Sequence, residues 1–202
     1  MAALIPLFPL DVVLFPGTPL PLHIFEPRYK EMIAECLAQN RGFGVVRALE
    51  KGLASIGCTA EIVTVVKEYP DGQLDLVTEG RKRFELLEVN QDRSFLQAEV
   101  MLIEDEPGAA PRSETARAIQ LHAELLAAAG AQQDLSAADP ATISFYLAGS
   151  LPLDLDFKQN ILALRSETER LSLLIPYLES IIPKLRRASQ AREKAGGNGH
   201  IH

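Results

Sequence analysis

A proline-rich apolar segment near the start of the chain, LIPLFPLDVVLFPGTPLPLHIFEP (residues 4–27), most constrains the fold. Proline has no backbone N–H, so strands that contain it lie at sheet edges or bends. The segment therefore predicts short, bent strands over residues 4–10 and 12–17. Extended chain then leads into a helix.

That helix is predicted to begin at Pro27, since proline suits the first helical position and Glu26 suits the positive helix end. Apolar residues recur at helical spacing and form one buried stripe. Gly42 is the predicted end of the helix. We expect Arg28 to pair with a nearby carboxylate, either Glu26 or Asp11. The apolar stripe comprises Tyr29, Met32, Ile33, Cys36 and Leu37.

The strand pattern continues to about residue 104, with alternating segments over 43–49, 59–69, 73–89 and 95–104. Pro70-Asp71-Gly72 predicts the hairpin turn between the second and third of these, and Gly80 predicts a bulge or bend. Short, bent strands with one early helix favour a small barrel. The predicted class is α+β, with a β pseudo-barrel followed by a helical bundle.

The residue pattern changes at EDEPGAAPR (residues 104–112). After it, Ala- and Leu-rich helical periodicity predicts about four helices. We expect a β-barrel part over residues 1–106, a bundle over 107–195 and a disordered tail over 196–202. Asp139-Pro140 predicts one helix start, and Asp154 predicts another. Pro176 and Pro183 predict kinks in the last helix.

Charge argues against a nucleic-acid partner. The net charge is −7, and residues 1–106 carry all of it, with 17 acidic and 10 basic residues. The apolar N-terminus has no basic region, and no apolar run reaches the roughly 20 residues that span a bilayer. The two cysteines are too few for a disulfide framework or a zinc site. We expect a soluble, cytoplasmic protein with no membrane partner.

Few residues point to catalysis. His23 and Glu26 form H-x-x-E, but no third metal ligand is apparent, so no metal is expected. Cys36 and Cys58 fit buried structural roles. Phosphate-loop and dinucleotide fingerprints are absent from the sequence, and we expect no cofactor. The triplet Arg81-Lys82-Arg83 is either an anion site or, more often, a solvated turn, with Arg81 and Arg83 on one strand face.

A binding surface is the remaining interpretation. Apolar chain stiffened by proline loses little entropy on contact, so it could line a groove for an extended peptide. The alternative that these side chains fill the barrel core stays open. The candidate peptide contacts are Val13, Phe15, Leu22, His23, Phe25 and Tyr29. A second set is expected to shape the local structure: Pro16, Gly17, Glu26, Pro27, Arg28, Gly80, Arg83 and Phe84.

The chain closely resembles the substrate-binding domain at the N-terminus of ATP-dependent Lon proteases. The N-terminal block LFPLDVVLFPGTPLPLHIFEPRYKEMI (residues 7–33) carries the specific part of the match. FGVV, SIGCTAEI, DGQLDLVTEG and RKRFELLEV continue it, and LAGSLPLDLDFKQNILAL with Arg170-Leu171 extends it more weakly. The resemblance covers residues 4–185.

The resemblance implies a pseudo-barrel related to PUA domains, a helical bundle, and a role in holding substrate proteins for a protease or, in other contexts, a ligase. No ATPase or Ser-Lys peptidase block follows, so a stand-alone, non-enzymatic and ATP-independent form is expected. We therefore predict a module that binds unfolded or extended polypeptides and serves as a protease adaptor in protein quality control. Two alternatives stay open, a PUA-like module for small molecules or RNA and a hydrolase using His23 or Cys36.

Overall fold

The computed structural model describes residues 3–128, 130–131, 135 and 139–196, with side chains as far as Pro183. Six strands come first, and a helix, α1 (Pro27–Ala38), lies between the second and third. The strands are β1 (Ala3–Leu10), β2 (Pro19–Ile24), β3 (Phe43–Ala48), β4 (Leu53–Glu68), β5 (Leu74–Asn90) and β6 (Leu96–Leu102). The later helices are α2 (Arg112–Ala128), α3 (Ile143–Ser150), α4 (Leu155–Ala163) and α5 (Glu167–Gly196).

The strands form one sheet in the order β2-β5-β4-β3-β1-β6. β1 and β3 run parallel, whereas the other pairs are antiparallel. The C-terminal half of β5 also pairs with β6, so the sheet curves back on itself while β2 stays outside as an edge strand. The predicted α+β class and barrel-like sheet are confirmed.

The predicted strand over residues 12–17 is wrong, because this stretch is a loop and the strand begins at Pro19. Residues 15–18 make a tight turn in which the Thr18 hydroxyl donates to the Phe15 carbonyl at 2.7 Å. Pro16 and Gly17 hold its central positions, and Gly17 has φ +71°. Proline followed by glycine suits a type II turn, in which the third residue has positive φ. β4 also begins earlier than predicted, at Leu53.

Helix α1 confirms the predicted start, with Glu26 at the N-cap and Pro27 in the first turn. Tyr29, Met32, Ile33 and Cys36 are buried under the sheet, as the stripe predicted. Leu37 is the exception, because it lies 44% exposed at the end of the helix.

Gly80 confirms the predicted irregularity in β5. Between the pairs Cys58–Arg83 and Ala60–Gly80 the register shifts by one residue, which places a bulge at residues 81–82. The Gly17 amide donates to the Gly80 carbonyl at 2.8 Å, and a Cβ on Gly80 would lie 2.1 Å from the Phe15 oxygen. Only glycine allows the turn at 15–18 to approach β5 this closely.

The helices pack over a core that also contains side chains from the strand-rich half, including Phe15, with Val13 and Ile56 against it. Asp154 caps α4 as predicted, accepting from the Phe157 amide at 3.0 Å. The helix expected from Pro140 begins instead at Ile143, because Asp139 to Thr142 form a turn. The division at residue 106 stays a prediction, and residues 197–202 of the predicted tail lie outside the described residues.

The last helix, α5, continues through both Pro176 and Pro183 as one helix. In the part of the chain that the structure describes, no helix combines the length and apolarity needed to cross a bilayer.

A buried polar network joins the sheet to the helices. Arg83 donates to the carbonyls of Leu162 and Leu164 at 2.6 Å each and pairs with Asp105. Asp105 also accepts from Arg170 at 3.0 Å. The bulge turns Arg83 inward while Arg81 stays outside with Glu61 and Glu79, so the predicted shared face is wrong. Phe84, next to Arg83, is fully buried against the backbones of Gly44 and Gly57.

Candidate peptide-binding surface

β2 is an edge strand that is protected against strand addition. It pairs with β5 from Pro19–Glu79 to Ile24–Leu74. Pro19 and Pro21 are exposed and carry no N–H, so the free edge lacks two of the donors that an added strand requires. A bound peptide would therefore be recognised through its side chains rather than by extending the sheet.

A cavity of about 230 Å³ opens where β2 runs into α1. Four of the six predicted contacts line it: Leu22, His23, Phe25 and Tyr29. Phe8, Pro9 and Leu10 from the end of β1 form the opposite wall. Pockets for drug-sized ligands have volumes of roughly 300–1,000 Å³. This smaller cavity therefore suits one or two side chains of a larger partner.

The rings beside this cavity are held in a fixed arrangement. Asp75 bridges His23 and Tyr69, with His23 Nδ1 to Oδ1 at 2.6 Å and the Tyr69 hydroxyl to Oδ2 at 2.8 Å. Phe25 stacks on His23 with ring centroids 5.9 Å apart, and Lys67 Nζ lies 4.2 Å above the Tyr69 ring. The hydrogen bond from His23 is the main cause that lowers the pKa of Asp75, followed by the one from Tyr69.

Phe25 itself is 58% exposed. An exposed ring this large, fixed beside an apolar cavity, is the kind of residue that anchors protein contacts.

The Glu26–Arg28 ion pair lies at the rim of the cavity, with Oε2 2.7 Å from a guanidinium nitrogen. This confirms Glu26 rather than Asp11 as the carboxylate for Arg28. The guanidinium also lies 4.6 Å above the Tyr29 ring, and burial raises the pKa of the Tyr29 hydroxyl. Among the described residues, no group of three His, Cys, Asp or Glu side chains could hold a metal ion.

The other two predicted contacts lie elsewhere. Val13 lines a second cavity of about 380 Å³ between the loop before β2 and helices α3 and α4. Phe15 is fully buried and stacks on Phe145 at 5.6 Å. Of the six predicted contacts, only His23 and Phe25 are exposed, at and just after the C-terminal end of β2.

The two thiols are buried, which fits the predicted structural roles. Burial raises the pKa of Cys58 to about 12 and also raises that of Cys36. A nucleophilic cysteine needs the thiolate at neutral pH, so neither environment favours a hydrolase. His23 is likewise engaged, because its Nδ1 lies 2.6 Å from Asp75 Oδ1.

Sequence reasoning missed the residues that complete this surface. Asp75 and Tyr69 flank the hairpin turn at 70–72, and the register Lys67–Asp75 follows from that turn. The hairpin signal could therefore have placed them together. No local pattern places β1 across the cavity or Lys158 beside Val13, because those contacts depend on the tertiary fold.

The chain combines a curved, barrel-like sheet, a helical layer and a cavity where β2 runs into α1. The family model of the ATP-dependent protease La (LON) substrate-binding domain matches residues 4–180, and the chain belongs to this family. The match is to the substrate-binding domain, as the sequence resemblance predicted.

Solved structures agree with this assignment. The Lon N-terminal domain protein from Xanthomonas campestris has a TM-score of 0.71 and 27% identity, over 87% of this chain and 98% of that one. The N-terminal domain of a Mycobacterium avium complex Lon protease has a TM-score of 0.66 over 88% and 98% of the two chains. At 21% identity, the latter supports the fold alone.

Curated relatives are much longer. A Lon protease from Parabacteroides distasonis is 36% identical over 110 residues, which are 50% of this chain and 13% of that protein. One from Anaeromyxobacter dehalogenans is 29% identical over 195 residues, or 87% of this chain and 23% of the relative. The chain therefore spans less than a quarter of the length of these two relatives.

Proposed function

We propose that this chain is a non-catalytic module that holds unfolded or extended polypeptides at the β2–α1 surface. The observation that carries the proposal is Phe25, an exposed ring fixed by His23 beside the 230 Å³ apolar cavity. Membership of a substrate-binding family supports the same function.

Affinity arises from burying apolar side chains on a wall that is already rigid. Pro19 and Pro21 restrict the backbone of β2. Asp75 holds His23 through Nδ1 and is itself held by the Tyr69 hydroxyl. Little conformational entropy is lost when a peptide side chain enters between Leu22 and Phe25. A folded protein keeps its apolar side chains inside, so the module selects unfolded chains.

We further propose that the module acts by binding and release, without cleaving the peptide and without nucleotide. In this role it is an adaptor that presents substrates to a protease. The buried thiols and the absence of a phosphate-loop sequence support this part of the proposal.

Fluorescence anisotropy with a labelled, permanently unfolded carboxymethylated protein tests the proposal, with the native form of the same protein as comparison. We expect saturable binding of the unfolded form only. Phe25→Ala and Leu22→Ala should each weaken binding about tenfold, as for central interface residues. Leu173→Ala is the matched control, since this leucine is 44% exposed on α5.

Equal binding of the native and unfolded forms would reject the proposal. So would a chain that binds neither form but binds RNA with a steep salt dependence, which is the behaviour of a nucleic-acid module.

A further inference from the structure

The second cavity is a separate chemical environment from the first. Its volume is about 380 Å³, and it lies between the loop before β2 and the α3–α4 pair. Apolar side chains form most of its wall, including Val13, Leu20 and Leu155. Lys158 contributes the one charged side chain among the residues that line it.

Among the residues that the structure describes, no acidic group pairs with Lys158. Within the described part of the chain, its ammonium group makes no ion pair and no side-chain hydrogen bond, while its backbone bonds to Asp154 within α4. The two acids of the same helix are engaged, Asp154 with the Phe157 amide and Asp156 with Arg47 at 2.5 Å. Burial, with no opposing charge, lowers the pKa of Lys158.

An uncompensated cation in a half-buried, apolar setting costs free energy, because burial disfavours the charged form. Lys158 lines the second cavity and is itself only partly buried, so a ligand in that cavity meets its side chain.

The cavity closes where α3 meets the chain before β2. A Cβ on Gly149 would lie 2.7 Å from Thr18 Cγ2 and 3.5 Å from the Phe15 ring, so the helix backbone touches the turn directly. Both Gly149 and Thr18 line the cavity. The contact between α3 and the turn at 15–18 therefore forms part of the cavity wall.

We propose that this cavity binds the C-terminal carboxylate of an extended polypeptide whose last residue is apolar. The carboxylate pairs with the Lys158 ammonium, and the last side chain packs against Val13, Leu20 and Leu155. This inference rests on the proposed function and adds a preference for chain ends.

The two cavities each have a wall residue on β2. Leu20 lines the second cavity and Leu22 the first, and both are partly buried on the same face of β2. Alternate strand residues are roughly 6.6 Å apart, which is also the spacing of alternate side chains in an extended peptide. A chain along β2 can therefore contact Phe25 and end beside Lys158.

Three labelled peptides test the inference by anisotropy, all with one uncharged apolar sequence. The first has a free C-terminal carboxylate, the second a C-terminal amide, and the third an amide with an internal Glu. We expect the free acid to bind about tenfold more tightly than the amide. Lys158→Met should remove that difference, so that the free acid and the amide bind the variant equally.

Lys51→Met is the matched control, because Lys51 is exposed in the turn between β3 and β4. It should keep the full preference for the free acid. Thermal unfolding adds an independent readout, since removing an uncompensated charge should leave Tm unchanged or raise it, whereas loss of a purely structural lysine should lower it.

Other outcomes overturn the inference. Equal binding of acid and amide by the wild type would reject the carboxylate site but leave the proposed function standing. Tighter binding of the internal-Glu peptide than of the free acid would reject the chain-end assignment. If none of the three peptides binds, the proposed function fails as well.

Discussion

Arg170→Met tests whether the buried polar network holds the helices to the sheet. The Arg170 side chain is fully buried, and its guanidinium stacks 4.1 Å from the centre of the Phe145 ring. It bonds to Ser144 Oγ at 2.9 Å, Glu167 Oε2 at 2.8 Å and Asp105 Oδ1 at 3.0 Å. Methionine keeps much of the apolar volume and removes every one of these donors.

The expected loss of stability follows from the charged group that Arg170→Met leaves buried without its partner. Glu167 is 3% exposed and would keep a buried carboxylate with only the two Ser144 hydrogen bonds, at 2.9 and 2.7 Å. Removing one partner of a buried ion pair typically costs about 3–5 kcal/mol. In a domain of this size each kcal/mol lowers Tm by roughly 2–4 °C, so the fall should be about 6–20 °C.

Urea unfolding followed by circular dichroism measures this cost. Arg117→Met is the matched control, because its exposed pair with Glu179 at 2.7 Å should contribute only about 0–1 kcal/mol. The double variant Arg170→Met/Glu167→Gln should recover at least about 1 kcal/mol, since it removes the unpaired charge. A cost below about 1 kcal/mol for Arg170→Met alone would refute the reasoning.

Four further predictions concern Gly80, Glu167, the two cysteines and Phe25. Gly80→Ala should cost about 1–3 kcal/mol in urea unfolding, because the new Cβ would lie 2.1 Å from a backbone oxygen; a neutral effect would contradict this close approach. Burial raises the pKa of Glu167, so its contribution to stability is complete below the unfolded pKa and is lost as pH rises through the higher folded pKa. The free energy of unfolding of the wild type, relative to that of Glu167→Gln, should therefore fall as pH rises above 4.5. An increase over this range would contradict the prediction. Cys36 and Cys58 should resist a thiol reagent at pH 8 until denaturant is added, whereas rapid labelling of the native protein would show that they are accessible. Phe25→Ala should change the free energy of unfolding by less than about 0.5 kcal/mol, and a larger loss would assign this exposed ring to the core.

Much of the fold follows from local rules that act on single residues. Pro27 starts α1, the Pro70–Gly72 turn sets the β4–β5 hairpin, and Asp154 caps α4. Each of these signals depends on neighbours within about four positions.

The apolar run over residues 12–15 predicted a strand, but here it belongs to a loop whose side chains divide between two cores. Phe15 and Val13 pack with the helices. Leu14 and Val12 pack with the sheet and α1.

The candidate surface could be predicted only in part. Leu22, His23, Phe25 and Tyr29 come together because β2 leads directly into α1, a connection that the sequence itself contains. Lys158 reaches the second cavity from far along the chain, and no short-range pattern places it there.

Arg83 shows a second limit of local patterns. One inserted residue at the β5 bulge reverses which side chains face inward, so strict alternation predicted the wrong face. Its partners Asp105 and Leu162 come from other parts of the fold.

Site-specific photo-crosslinking from position 25 tests the central claim most directly. A benzophenone amino acid replaces Phe25, and a second protein carries it at Leu173 as a comparison of similar exposure. We predict that an unfolded polypeptide crosslinks strongly at position 25 and only at background level at position 173, and that the native form of the same polypeptide crosslinks at neither. Equal labelling at both positions, or none at position 25 under conditions where binding is saturated, would contradict the account.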